Sequence, residues 1–315
     1  MDITELIDII KETKPNLKDS SIKQYINSLR NLYSKLNNTQ PFPPVNFEYL
    51  KNKEDVLGVI SPLHITSQRN TLTAVLSVID DNELRNFYGK KVRELNKKQS
   101  DNYSKNVVSE KTDLKLKTWT TEDIEKCIVK LKLDKKFQTA LILSLIYKYL
   151  FRNEVSTLKL IKKSKYDKLS EEEKLNQNYI VKHYNNMFIS RAVYKTADKY
   201  GLVLTSIDDK ILKSDLLQYI KNMKDDIMFK DDMGKQLSND LVSTHISRAT
   251  REYIDPLNKD SKLGIGTSSI NKIVIESLQL DGIEKLLEIS ANRGTSIGTL
   301  LHAYYNNYQS KFDLK

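Results

Sequence analysis

Along the first hundred residues, apolar side chains recur at steps of three and four between polar positions, the spacing of short amphipathic helices. In SSIKQYINSLRNLYSKL, residues Ile22, Tyr25, Ile26, Leu29, Leu32, Tyr33 and Leu36 share one face, and Ser21 with Gln24 reads as a capping box at its start. After the proline turn QPFPP come FEYLKNKEDVLGVI, then ITSQRNTLTAVLSVI with Leu72, Val75, Leu76 and Ile79 on one face, then NELRNFYGKKVREL. Residues 1–95 therefore read as a small all-helical unit. From 96 to 117 the periodicity fades into polar, lysine-rich sequence that reads as a linker.

A second region spans 118–315. Thr121 is placed to cap a helix that uses Ile124, Cys127, Ile128 and Leu131. TALILSLIYKYLF, residues 139–151, is apolar on every side yet too short to span a bilayer, so it predicts a buried helix. A second short helix is expected in RNEVSTLKL. The segment YIVKHYNNMFISRAVYKTADKYGLVLTSI alternates and contains turn residues, which predicts a small antiparallel sheet. Helical spacing returns in KILKSDLLQYIKNM, LSNDLVSTHISRATREYI, SSINKIVIESL, DGIEKLLEISA and the terminal stretch. The expected class is mainly α with a small antiparallel β-sheet, without internal repeats.

Composition narrows the chemistry. A single cysteine, Cys127, rules out an internal disulfide and a Cys-based zinc site, and His64, His183, His245 and His302 form no metal-binding spacing. No metal and no cofactor are expected. The start MDITELIDIIKETKPNLKDSS lacks the basic lead and apolar run of a signal peptide, so an intracellular chain without membrane association is expected. With 51 Lys+Arg against 41 Asp+Glu the net charge is +10, which suits a polyanion, nucleic acid first. AT-rich coding also favours lysine, so charge alone does not decide the partner. LGIGTS is a lone GxG without the surroundings of a dinucleotide site, and the acidic clusters VIDDNEL and MKDDIMFKDDMG read as solvated caps and turns.

Four segments remain, in chain order: LILSLIYKYLFRNEVSTLKL, VYKTADKYGLVL, TSSINKIVIESL and RGTSIGTLLHAYY. Between them they offer arginine, lysine and tyrosine. A phenol with a pKa near 10 is a workable nucleophile and a good later leaving group, and a guanidinium holds two phosphate oxygens at once. In content and order these segments resemble the tyrosine recombinase (phage integrase) family, and more narrowly the divergent recombinases of large DNA viruses and associated mobile elements. The resemblance covers nearly the whole chain. It implies a helical DNA-gripping N-terminal domain, a linker and a catalytic domain carrying Arg, Lys, HxxR, His or Trp, and Tyr.

Residue by residue, the resemblance puts Arg152 on the scissile phosphate, with Glu154 two positions on where many members carry the acid three on. It nominates Lys195, with Lys199 in reserve, as the hairpin lysine that protonates the leaving 5′ oxygen. The HxxR position falls on Ser268 and Asn271, with Lys272 beside them, so the second arginine is absent. A literal HxxR, His245 and Arg248, lies 56 residues before Tyr304 and reads as part of the preceding helix, its His245 surface or DNA-facing. In RGTSIGTLLHAYY, Gly294 aligns with the family's glycine and Thr295 replaces its histidine. Nine residues further on, Tyr304 takes the place of the nucleophile, with Tyr305 its alternate and His302 a nearby substitute for the absent histidine.

The implied activity is site-specific recombination or integration through a 3′-phosphotyrosyl intermediate on double-stranded DNA, by chains that self-associate as tetramers on paired sites. Two alternatives stay open. One is a degenerate recombinase fold that binds DNA without cutting, motivated by Asn271 and Thr295, unless Lys272, Arg293 or His302 compensates. The other is a type IB topoisomerase-like enzyme, disfavoured by the separate helical N-terminal region.

Overall fold

In the computed structural model, which describes residues 1–36, 41–104, 110–254, 263–277 and 283–304, the chain divides into two units, Met1–Val107 and Val108–Lys315. The first holds α1 (Ile3–Thr13), α2 (Asp19–Leu36), α3 (Lys53–Ile60), α4 (Ile65–Val75) and α5 (Asn82–Ser104). On α2 the predicted face is buried at Ile22, Ile26, Leu29, Leu32 and Tyr33. Ser21, however, is not its cap. The amides of Ser21 and Ile22 both donate to the Lys18 carbonyl, so the helix begins earlier, with the Asp19 carboxylate in its positive first turn. Leu6, Ile10, Leu29, Leu50, Val56, Leu72 and Val75 meet in one core, where the hydroxyl of fully buried Tyr88 donates to the Leu50 carbonyl at 2.7 Å. The acid pair of VIDDNEL includes the cap of α5, since the Leu84 amide donates to Asp81 Oδ1 at 2.9 Å.

The stretch read as a linker is helical on both sides of residues 105–109. α5 runs on through Ser104, and α6 covers Glu110–Thr118. Lys, Glu, Gln and Arg favour helix without needing an apolar face, so loss of periodicity there did not mean loss of helix.

The second unit continues with α7 (Thr121–Leu133), α8 (Phe137–Tyr149), β1 (Lys159–Lys162), α9 (Lys163–Tyr166), α10 (Glu171–Leu175), β2 (Tyr179–His183), β3 (Asn186–Arg191), α11 (Ala197–Tyr200) and β4 (Val203–Ser206). It closes with α12 (Lys210–Lys221), α13 (Asn239–Ile254), α14 (Thr267–Ser277), α15 (Ile283–Arg293) and α16 (Ile297–Tyr304). The cap of α7 is Thr120, one residue before the expected Thr121: the Asp123 amide donates to Thr120 Oγ1 and the Thr120 amide to Asp123 Oδ2. The buried face of α7 is the expected one, Ile124, Cys127, Ile128 and Leu131. α8 is the central helix, buried continuously from Thr139 to Ile146 and packed against α7, α12, α13 and α14.

The sheet has the order β1-β2-β3-β4 and is mixed. β2 pairs antiparallel with β3 and β3 with β4, but β1 runs parallel to β2. Here RNEVSTLKL departs from the short helix expected of it. A 3-10 turn at Asn153–Thr157 gives way to a strand because the backbone from Lys159 onward finds partners on β2. The segment MKDDIMFKDDMG is also more than a solvated turn, since Met228 and Phe229 are fully buried in the core. The two glycines of LGIGTS have a packing role. A Cβ on Gly264 would stand 2.1 Å from the Ser247 carbonyl oxygen and one on Gly266 2.3 Å from Ser243 Oγ, so the chain lies directly on α13. No described helix is long and apolar enough to cross a membrane.

Cys127 is fully buried, and burial pushes its thiol up to about 12 from 9.0. The folded chain therefore keeps a proton that the unfolded chain releases above pH 9. Stability from this group is complete below pH 9 and falls as pH climbs towards 12. Urea titrations at pH 8 and 10.5 should show a fall in midpoint that is smaller in Cys127→Ala, and a water-soluble thiol reagent should label native protein only at the rate of unfolding.

Candidate active site

Helix α8 ends at Leu150, whose positive φ of 54° turns the chain sharply. The next residue, Phe151, is buried in the core, and Arg152 after it begins the 3-10 turn. This is where the first candidate residue stands. Arg152 is partly buried, and its Nη1 is buried without a hydrogen-bond partner among the described residues. A guanidinium nitrogen removed from water is costly unless something negative or polar meets it. The arrangement suits an incoming anion.

α14 abuts this turn from one side. Asn271, fully buried, donates Nδ2 to the Phe151 carbonyl at 3.3 Å, and Thr267 Oγ1 donates to Asn153 Oδ1 at 2.7 Å. The position expected for a second arginine is thus beside Arg152, but it carries an uncharged amide whose Oδ1 is buried without a partner among the described residues. Ser268 is exposed on the same helix. Lys272 is partly buried and its ammonium is held below the usual lysine range by burial, opposed by the charge of Glu276.

Lys195 and Lys199 are exposed on the connection between β3 and β4, with Lys199 in the short helix α11 and its Nζ 5.2 Å from the centre of the Tyr200 ring. The tight hairpin of the sheet is the other one, β2 to β3, turning at Tyr184 and Asn185 without a lysine at either turn position. Asn178 fixes the start of the Lys195 connection with its whole amide. Its Oδ1 accepts from the amides of Ala192 and Val193, and its Nδ2 donates to the Val193 carbonyl and to Thr157 Oγ1, all at 2.8 Å. One buried side chain therefore ties the end of the Arg152 turn to the lysine-bearing connection. Sequence reading passed over it because a lone Asn carries no pattern.

The turn between α15 and α16 packs on that same connection. Gly294, at φ 59°, ends α15 with its amide donating to the Ala291 carbonyl while the Thr295 amide donates to the Ser290 carbonyl. Thr196 Oγ1 donates to the Gly294 carbonyl. A Cβ at 294 would lie 2.3 Å from Tyr194 Cε2, so both backbone conformation and space call for glycine. Gly294→Ala is expected to destabilise the second unit by about 2–4 kcal/mol, read as a lower urea midpoint, with part recovered when Tyr194→Ala removes the clash.

Thr295, at the expected histidine position, is buried. Ser296 caps α16, accepting from the Thr299 amide at 3.1 Å, and buried Leu300 clusters with Leu150, Ile275 and Ile289. The helix that ends at Tyr304, and includes His302, is thereby anchored against the residue two before Arg152. Tyr305 lies outside the described residues.

The structure thus gathers the segments of Arg152, Asn271, Lys195 and Gly294–Thr295. The literal HxxR lies on α13, a helix that also packs against the 3-10 turn after Arg152. His245 is partly buried against α8, its Nε2 2.8 Å from Thr139 Oγ1, and burial holds its imidazole below the usual range. Arg248 lies with Ser243, Thr244, Ser247 and Arg251 in a polar hollow. The residue that sequence reading missed outright is Arg191, 2% exposed at the end of β3. A signal was present: in NMFISRA, residues Met187, Ile189 and Arg191 share one parity, so the strand's period puts the arginine on the buried face.

No family model matches the chain, and no curated protein matches it. Solved structures do. A crystal structure of XerA recombinase aligns over 97% of this chain and 94% of that one at 14% identity, with a TM-score of 0.39. The XerH site-specific recombinase, solved as a pre-cleavage complex bound to its difH substrate, aligns over 100% of this chain and 85% of that one at 13% identity, with a TM-score of 0.52.

Proposed function

We propose that this chain, which has the tyrosine-recombinase fold, is a site-specific recombinase that cuts and rejoins duplex DNA through a phosphotyrosyl link. The observation that carries the reading is the guanidinium of Arg152, with a buried nitrogen unpartnered within the described protein, at the point where the lysine-bearing connection and the root of α16 come together.

In the proposed reaction the phenol of Tyr304 releases its proton to solvent and its oxygen attacks the scissile phosphorus. A bond forms between that oxygen and phosphorus, the bond to the 5′ oxygen breaks, and Lys195 gives the leaving oxygen its proton. Arg152 holds the non-bridging oxygens as charge grows on them. A 5′ hydroxyl of the partner duplex then attacks the 3′-phosphotyrosine, its proton passing to Lys195, and Tyr304 leaves as a phenolate that regains its proton from solvent. The adduct retains the energy of the broken bond, so rejoining draws on no nucleotide hydrolysis. Pairing two sites calls for several copies of the chain, and we propose a tetramer on DNA.

A second reading has its own observation. Asn271 spends its amide on a backbone carbonyl and supplies no cation, and Thr295 is buried and uncharged. Loss of one preorganised donor typically costs on the order of 10² to 10³ in rate, so two such positions favour a protein that binds DNA without cutting.

Trapping separates the two. The chain is incubated with a diverse pool of nicked duplexes in the presence of EDTA, denatured, and examined for protein covalently joined to a 3′ DNA end. An adduct supports cleavage. DNA binding with no adduct across the pool overturns the cleavage reading in favour of the second.

A further inference from the structure

Burying an arginine is unfavourable unless the guanidinium is paired, and Arg191 is paired through both terminal nitrogens and lies against two rings. Its Nη1 lies 3.3 Å from Glu154 Oε1, itself buried, and its Nη2 donates to the Asn292 carbonyl. Its guanidinium carbon stands 4.7 Å from the ring centres of both Phe151 and Tyr194. These four partners are not scattered. Phe151 and Glu154 flank Arg152, Tyr194 precedes Lys195, and Asn292 sits two residues before the Gly294 turn that leads to α16. Asn292 is tied further, its Oδ1 accepting from Thr205 Oγ1 of β4 at 3.1 Å.

We propose that Arg191 is a positioning residue that couples the Arg152 turn, the Lys195 connection and the turn leading to α16 into one rigid arrangement. For its consequence in catalysis the inference rests on the cleavage reading above. Arg191 does not take over the phosphate contact of an arginine at 271, because it is closed off from solvent. Its planar fork serves a different end: it donates to the Arg152 turn and to the turn leading to α16 while lying against one ring of the Arg152 turn and one of the Lys195 connection. A lysine keeps the charge opposite Glu154 but can neither reach both acceptors in one plane nor stack.

The test is Arg191→Lys in the full chain, with three readouts: thermal unfolding, affinity for duplex, and the single-turnover rate of adduct formation at saturating DNA. The expected result is a folded protein with near wild-type affinity whose adduct rate falls about 10²-fold, the scale of a misplacement near 1 Å among reacting groups. A rate that stays within a few-fold of wild type overturns the inference, as does a rate loss matched by weaker binding. Should the lysine variant fail to fold, the pair Arg191→Met with Glu154→Gln removes both buried charges together, and the same readouts apply.

Hydrogen exchange keeps the two claims separate. If wild type binds DNA but forms no adduct, the cleavage reading fails, and the coupling is judged on exchange alone. Faster exchange in both 149–157 and 288–300 with α7 unchanged supports it; faster exchange in only one of the two segments, or in neither, overturns it.

Discussion

Tyr304→Phe is expected to form no covalent DNA adduct under conditions where the wild-type chain does, while binding the same duplex with unchanged affinity and unfolding at the same temperature. The substitution removes one oxygen, the atom proposed to bond to phosphorus, and leaves the ring. No other group in RGTSIGTLLHAYY has its chemistry except the neighbouring Tyr305. Serine and threonine hydroxyls are poorer leaving groups, and His302 would give an acid-labile phosphoramidate rather than a stable phosphotyrosine. A single phosphorus takes one nucleophile per cleavage, so the two tyrosines separate cleanly by substitution. Tyr305→Phe should retain the adduct. An adduct that survives in Tyr304→Phe and disappears in Tyr305→Phe would keep the mechanism and move the nucleophile by one residue.

Arg152→Met carries the second largest expected effect, and it has two parts of opposite sign. Adduct formation at saturating DNA should fall on the order of 10² to 10³-fold, the usual consequence of removing a preorganised donor from a site of developing negative charge. Asn271 cannot compensate, because its amide nitrogen is committed to the Phe151 carbonyl. Stability should not fall with it. Arg152 Nη1 is buried with no protein acceptor among the described residues, so methionine removes an uncompensated polar group and keeps most of the volume. The unfolding midpoint should match or exceed that of wild type. A site that is more stable without its arginine holds that arginine for a ligand. Lower stability with unchanged adduct formation would instead make Arg152 a structural residue.

Arg191 and Arg152 make a useful pair, because the chemistry of the side chain is the same and the expected behaviour is opposite. Both terminal nitrogens of Arg191 meet acceptors of the protein itself, whereas Arg152 Nη1 is buried with no acceptor among the described residues. Only one of the two was visible as a candidate in the sequence. Arg152 follows a long apolar helix and precedes an acid, a pattern contained in twenty consecutive residues. Arg191 acquires its meaning from Glu154, 37 positions away, and from Asn292, 101 positions away.

The same distinction runs through the rest of the chain. By itself the sequence determined the faces of α2 and α7, the all-round burial of α8, the antiparallel pairing of β2 with β3, and the glycine at 294, because each follows from the pattern of apolar side chains or the backbone freedom of one residue. It left the exact caps to Lys18 and Thr120, since neighbouring polar residues compete for the same helix end at similar cost. Tertiary structure decided the rest. The segment after Arg152 became a strand because β2 supplied backbone partners, and Asn178 became a clamp because two distant segments met at its amide. The turn leading to α16 came to rest on the Lys195 connection through contacts about 100 residues apart in the chain. Such contacts depend on which surfaces meet once the helices have packed, and no local period along the chain carries that information.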